Sequence, residues 1–215
     1  MGVPEASATI VTYPESCASL ARKRSTLPRG SIRPSVLGSS EAENATTQQR
    51  WWYAAIASAS SIDDAEVIAA YHHRCWVIAF SGLLAPGTLQ QIDPRGNVDL
   101  FRARLARDSG YVTMVADESG TPIGHTTVSR NKLVHLFVDP DYWRHGIGLN
   151  LLGVGEGLLR DAGHREVELW TRIGNEPAIA LYLKCGWHLT DRVVHSEENG
   201  VAYDEHVLTK QLDAP

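Results

Sequence analysis

A chain of 215 residues with 43% apolar content is long enough for one compact domain with a sizeable core plus a tail. Twenty Lys and Arg against 25 Asp and Glu give a formal charge of −5, so composition supplies no general attraction to nucleic acid or anionic membrane. No apolar run approaches the roughly 20 residues of a membrane span, and the N-terminus lacks a basic region followed by an apolar run of signal-peptide type. The three cysteines, Cys17, Cys75 and Cys185, are widely spaced with no CxxC pair, which argues against a disulfide framework or structural zinc and suits a cytoplasmic protein.

Residues 1–50 are rich in Ser, Ala, Thr, Pro and charge, with Arg22-Lys23-Arg24, Pro28 and Pro34 breaking any period. Burial there cannot offset the entropy of ordering, so this part is expected to be a flexible tail before a domain over 51–215. Trp52 to Ala57 reads as a short strand, and Ser60, Ser61, Asp63 and Asp64 as the cap and first-turn acids of a helix. Ile68, Tyr71, His72, Cys75, Trp76 and Ala79 lay an apolar stripe along that helix through about Phe80. Pro94-Arg95-Gly96 predicts a turn, and Val98, Phe101 and Leu105 a second, shorter helix ending by Gly110.

The period then changes. Tyr111 to Ala116 and Ile123 to Ser129 flank Glu118-Ser119-Gly120 as a hairpin, and Leu133 to Val138 is apolar enough for a central strand. Gly146 to about Asp161 is helical, Val167 to Trp170 a strand, and Pro177 opens a helix that closes at Gly186. Trp187 to Val194 and Val201 to Leu212 complete the chain as strands joined across Asn199-Gly200.

A buried strand, a sharp glycine loop and an apolar helix suit an anion. Glycine lets successive backbone N–H groups approach it, and the helix N-terminus adds about half a positive charge. The segment Trp143-Arg144-His145-Gly146-Ile147-Gly148-Leu149 occupies that position. It is too short for GxxxxGK[ST], no Lys follows Gly148, and GxGxxG does not fit.

The wider pattern runs from Val138-Asp139-Pro140 through this loop to Asn175, Ala178, Tyr182 and Gly186-Trp187. It resembles the GNAT superfamily of acetyl-CoA-dependent N-acetyltransferases, whose signature is a Val-x-Pro-like strand end, Q/R-x-x-G-x-G/A, and then N-x-x-A-x-x-x-Y-x-x-x-G-F/W. The likeness covers about Ile56 to Leu212. In the loop, Trp143 stands where the family has Gln or Arg, with Arg144 one place later. The resemblance implies an α/β (α+β) fold: a mixed, mostly antiparallel sheet of six to seven strands flanked by about four helices. It also implies acetyl-CoA as cosubstrate with no metal, and transfer to a primary amine of a small molecule or protein by direct attack.

By the same resemblance, backbone amides near Phe137 and Val138 hold the pantetheine arm, residues 143–149 hold the diphosphate, and Asn175 contacts the cofactor. Tyr182 is the expected general acid. Glu is common in the family before the Leu-x-Val segment, but Lys132 or Leu133 stands there. His135, titrating near 6.5 in water and sharing a face with Phe137, is the expected base; the alternatives are that it is a core or rim histidine, and that Glu168 or a first-helix residue acts through water. Adjacent His72 and His73 point about 100° apart on a helix, so with Cys75 they read as packing rather than metal ligands. Trp76, Phe80 and Leu83-Leu84 are expected to wall the acceptor cleft, and Cys185 to pack. A cofactor-binding regulatory module without catalysis is the second reading. Nucleic-acid and membrane partners are not expected, and a homodimer is left open.

Overall fold

The computed structural model describes residues 55–58, 64–80, 94–106, 108–118, 120–198 and 201–213. The expected tail, the Leu83-Leu84 wall and the Asn199-Gly200 reversal lie outside them. Strand β1 (Ala55–Ser58) pairs antiparallel with β2 (Val112–Glu118), so the Trp52 to Ala57 expectation is met in part, its start lying outside the described residues. Helices α1 (Asp64–Phe80) and α2 (Pro94–Leu105) lie between them in sequence. Pro94 to Gly96, expected as a turn, is instead the first turn of α2. Proline at a helix start gives up an N–H that has no intrahelical partner anyway.

Strands β3 (Thr121–Ser129) and β4 (Lys132–Val138) continue an antiparallel meander. A 3-10 turn (Pro140–Tyr142) leads into α3 (Ile147–Asp161), which crosses to β5 (Glu166–Arg172). Helix α4 (Glu176–Lys184), β6 (His188–Glu198) and β7 (Val201–Gln211) follow. Among the described residues the sheet order is β1-β2-β3-β4-β5-β7-β6, seven strands of which only β4 and β5 pair in parallel. The mixed, mostly antiparallel sheet and the four helices among the described residues match the expected class.

Side-chain alternation assigns each face of the sheet. Val115 and Phe137 pack with Ala65, Ile68, Tyr71 and Phe101 of α1 and α2. Their strand neighbours Ala116 and Leu136 pack with α3 instead. The second core is the larger: Leu133, Leu152, Leu159, Leu169, Tyr182, Trp187 and Leu208 join α3 and α4 to β4, β5 and β7.

Two local features set up the site. First, Thr127 pairs with His135 but Val128 pairs with Leu133, so Val134 is an extra residue in β4. This bulge brings Lys132 and His135, three apart, to the same face. Second, α3 lies close on the sheet at Gly155, where a Cβ would sit 2.8 Å from Thr126 Oγ1 and 2.9 Å from Leu133 Cδ1. Gly155→Val is therefore expected to destabilise the fold by about 1–3 kcal/mol, seen as a lower denaturant midpoint at unchanged slope; an unchanged midpoint would show that this contact relaxes freely.

Candidate active site

The parallel strands β4 and β5 pair only at Lys132 with Glu168 and Leu133 with Leu169. From Val134 onward no described strand pairs with β4 on that side, and a cavity of about 1010 Å³ opens between the diverging strands. Ligands in α/β sheets gather where strands part in this way. The opening is lined on one side by Phe137, Val138, Trp143, Arg144 and Gly148, and on the other by Asn175, Ala178 and Tyr182. Its far end includes His135, Lys132, Trp170, Arg172, Tyr203 and Glu205.

Loop geometry follows from two left-handed residues. Arg144 has φ 66° and Gly146 φ 81°; the second is the N-cap of α3 and offers no side-chain cap. The first N–H groups of α3 are thus left for another acceptor. Gly148 lines the cavity, and a Cβ there would make only ordinary contacts, 3.8 Å to Val138 Cγ2 and 3.9 Å to Leu181 Cδ2. Trp143 is 39% exposed and its indole donates to the Val138 carbonyl at 2.6 Å, the same oxygen that accepts from the Cys75 thiol at 3.0 Å. Burial pushes that thiol up to about 12, so it stays protonated. The turn before the loop is held from α1, where Arg74 pairs with Asp139 and Asp141, while Asp139 caps the Asp141 N–H.

Of the expected site residues, His135, Phe137, Val138, Trp143, Arg144, Gly148, Asn175 and Tyr182 meet around this one cavity. His145, Gly146, Ile147 and Leu149 are not in its lining. Ile147 is buried against Ile123 and Leu151, and Leu149 packs on the larger core, because both lie on the inward side of α3. The Asn175 side chain makes no capping bond to α4. Tyr182 is 6% exposed beside Trp187, and burial raises its phenol well above the usual value.

His135 stands in a buried aromatic cluster with His72, His125, Phe101 and Phe137. Tyr71 Oη and His125 Nδ1 are 2.8 Å apart, His125 Nε2 and His135 Nδ1 3.4 Å, and Arg104 reaches His135 Nε2 at 2.5 Å. Burial, with the Arg104 charge next, holds His135 well below its usual pKa; burial, with His72 and Arg104, does so for His125. His72 packs on Phe137 at 4.1 Å and Phe101 at 5.1 Å between ring centroids.

Sequence reading did not anticipate the far end. Arg172, 5% exposed, lies over the rings of Trp76 at 4.5 Å and Tyr203 at 3.7 Å. Lys132 lies over the Trp170 ring at 2.7 Å. Trp76 was the expected wall residue; the side chain of Phe80 is outside the described set. The available signal was period two on β5, where Glu168, Trp170 and Arg172 share one face of a strand whose other face carries Val167, Leu169 and Thr171. Tyr203 and Glu205 repeat that period on β7, the partner strand.

The acetyltransferase (GNAT) family pattern matches residues 66–187, and the chain belongs to that family. Over 116 residues it is 30% identical to a mycothiol acetyltransferase of Clavibacter sepedonicus, covering 52% of this chain and 38% of that protein. Over 99 residues it is 30% identical to an uncharacterized N-acetyltransferase of Methanocaldococcus jannaschii, covering 40% and 43%. The chain therefore spans about two fifths of the length of these curated relatives. Its fold is similar to a GCN5-related N-acetyltransferase from Rhodopseudomonas palustris (TM-score 0.63, 22% identity, 74% of this chain and 95% of that one). It is also similar to the PaiA N-acetyltransferase from Thermoplasma acidophilum, solved in complex with coenzyme A (TM-score 0.60, 19% identity, 74% and 99%).

Proposed function

We propose that this protein is an N-acetyltransferase that moves an acetyl group from acetyl-CoA directly to a primary amine. The observation that carries the reading is the junction of an uncapped helix N-terminus and Tyr182 in the cavity opened by the diverging β4 and β5. Bound there, the thioester would supply an activated acetyl group. Residues 143–149 would hold the diphosphate chiefly through backbone N–H groups, with Arg144 adding charge. The unpaired edge of β4 at Phe137 and Val138 would align the pantetheine arm and polarise the carbonyl. Asn175 would steady the cofactor from across the cavity.

His135 is the proposed proton acceptor. Burial and the Arg104 guanidinium keep it neutral at pH 7, so it can accept; they also make the imidazolium costly, so uptake would accompany attack rather than precede it. Tyr182 is the proposed donor to the leaving sulfur.

Incubation with acetyl-CoA and a panel of primary amines should release free coenzyme A. Tight acetyl-CoA binding with no turnover on any amine would instead establish a cofactor-binding regulatory module. A second expectation concerns the loop. Gly146→Val forces a β-branched residue into a left-handed conformation, at a cost of about 1–2 kcal/mol or roughly tenfold in acetyl-CoA affinity. Nothing lies within 4 Å of a Cβ at Gly146, so this cost is conformational rather than steric. Arg144→Ala should weaken binding only about threefold, as an exposed charge does. Calorimetric titration reads both; a loss in Gly146→Val no greater than in Arg144→Ala would overturn backbone-dominated binding.

A further inference from the structure

Resting on the acetyl-transfer reading of this cavity, we propose that its far end selects an amine that also carries a carboxylate. Lys132 would hold that carboxylate, Glu205 would hold the amine before it loses its proton, and Trp76, Trp170 and Tyr203 would wall the body of the acceptor.

The charges at this end are arranged for a ligand of both signs. Lys132 and Glu205 line the same cavity, and Glu205 pulls on the Lys132 proton, yet no ion pair joins them. The Lys132 ammonium rests on the Trp170 ring, and among the described residues it has no hydrogen-bond or ion-pair partner. Neither of the two nearby carboxylates is bonded to it, and one oxygen of Glu205 is left for the amine. Glu168 accepts the Trp170 indole N–H at 3.1 Å and Arg192 at 3.1 Å, while Glu205 Oε2 accepts the Ser196 hydroxyl at 2.5 Å. An ammonium over an indole face turns part of its N–H set toward the ring, which leaves the rest of its three donors for another acceptor. Filling them with a carboxylate gives a charge-assisted hydrogen bond in a partly desolvated place, where such a bond is strongest.

The backbone sets the spacing. Lys132 reaches the acceptor face only because the extra residue at Val134 turns it to the side of His135. Burial lowers the Lys132 pKa to about 8, against the pull of Glu205 and Glu168, so at neutral pH most of the ammonium remains charged. Arg172, stacked between Trp76 and Tyr203 and directly across the ladder from Glu205, adds a second fixed cation at the same end. Arg104 beside His135 adds a third cation at this end, where Glu205 and Glu197 line the cavity and Glu168 stands near Lys132, so groups of both signs are available to an acceptor that carries both.

The test uses the full-length protein and matched probes: L-phenylalanine, L-leucine and L-methionine, each beside its C-terminal amide. Release of coenzyme A gives kcat/KM for each, and calorimetry on coenzyme-A-saturated protein gives affinity independently of turnover. Each acid is expected to exceed its amide at least tenfold in both. Lys132→Met should narrow that ratio to within about threefold, mainly through KM, and Lys132→Arg should restore most of it. Equal use of acid and amide, or an unchanged ratio in Lys132→Met, would overturn the proposal; preference for the amides would overturn it in favour of a peptide terminus. If no amine is turned over, the acetyl-transfer reading fails, and the calorimetric ratio still decides this one: a tenfold preference for the acids sustains it, and no preference ends it.

Discussion

Replacing Tyr182 by phenylalanine should lower the turnover number about a hundredfold, the lower range for loss of a positioned acid, while acetyl-CoA affinity changes by less than about threefold. The reasoning begins with burial. Tyr182 lines the cavity with only 6% of its surface exposed, and burial holds the phenol protonated throughout the working pH range. It is therefore always a donor and never an acceptor. The departing sulfur gains negative charge only in the transition state, so a donor aimed at it should act on kcat and leave ground-state binding nearly untouched. The same raised pKa limits the gain, because a strongly held proton is given up reluctantly. The ring also packs beside Trp187, and phenylalanine preserves that contact. An unchanged turnover number would reduce Tyr182 to a packing residue of the larger core; a parallel loss of thermal stability would show that the hydroxyl serves the fold.

Most elements were legible because their signals are local. The period on Ile68 to Trp76 gave α1, the apolar run at Leu133 gave β4, and glycine punctuation gave the ends of α3 and α4. The cofactor side was legible for the same reason, since its loop and Asn175, Ala178 and Tyr182 are arranged in sequence. What escaped depends on contacts between distant segments. No local pattern places β7 between β5 and β6, so Arg172 could not be set against Glu205 and Tyr203. Nor does any local pattern announce the extra residue at Val134. Regular alternation would put Lys132 and His135 on opposite faces; the bulge reverses this and makes Lys132 an acceptor-side residue. Pro94 was misread because proline marks a turn and a helix start alike, and only the following packing of Phe101 decides between them.

Acidification should destabilise this fold steeply below about pH 6.5, the value at which an exposed histidine titrates. His125 and His135 are both held well below that value in the folded protein, mainly by burial and next by neighbouring cationic or imidazole groups. Between 6.5 and those lower values the unfolded chain binds protons that the folded chain refuses, so stability is full above 6.5 and is lost as pH falls through this window. Two refused protons give a slope of at most roughly 2.7 kcal/mol per pH unit, or about 5–10 °C in Tm per unit for a domain of this size. His125 is fully buried with its Nδ1 against the Tyr71 hydroxyl at 2.8 Å, so protonation there would set a donor against a donor unless the hydroxyl turned. His135 faces Arg104, and an imidazolium beside that guanidinium would be repelled directly. Thermal melts from pH 7.5 to 5 read the effect, and His135→Gln, which keeps a polar side chain but cannot titrate, should remove close to half the slope. A flat Tm across that range, or an undiminished slope in His135→Gln, would mean that the cluster opens to water well before the domain unfolds.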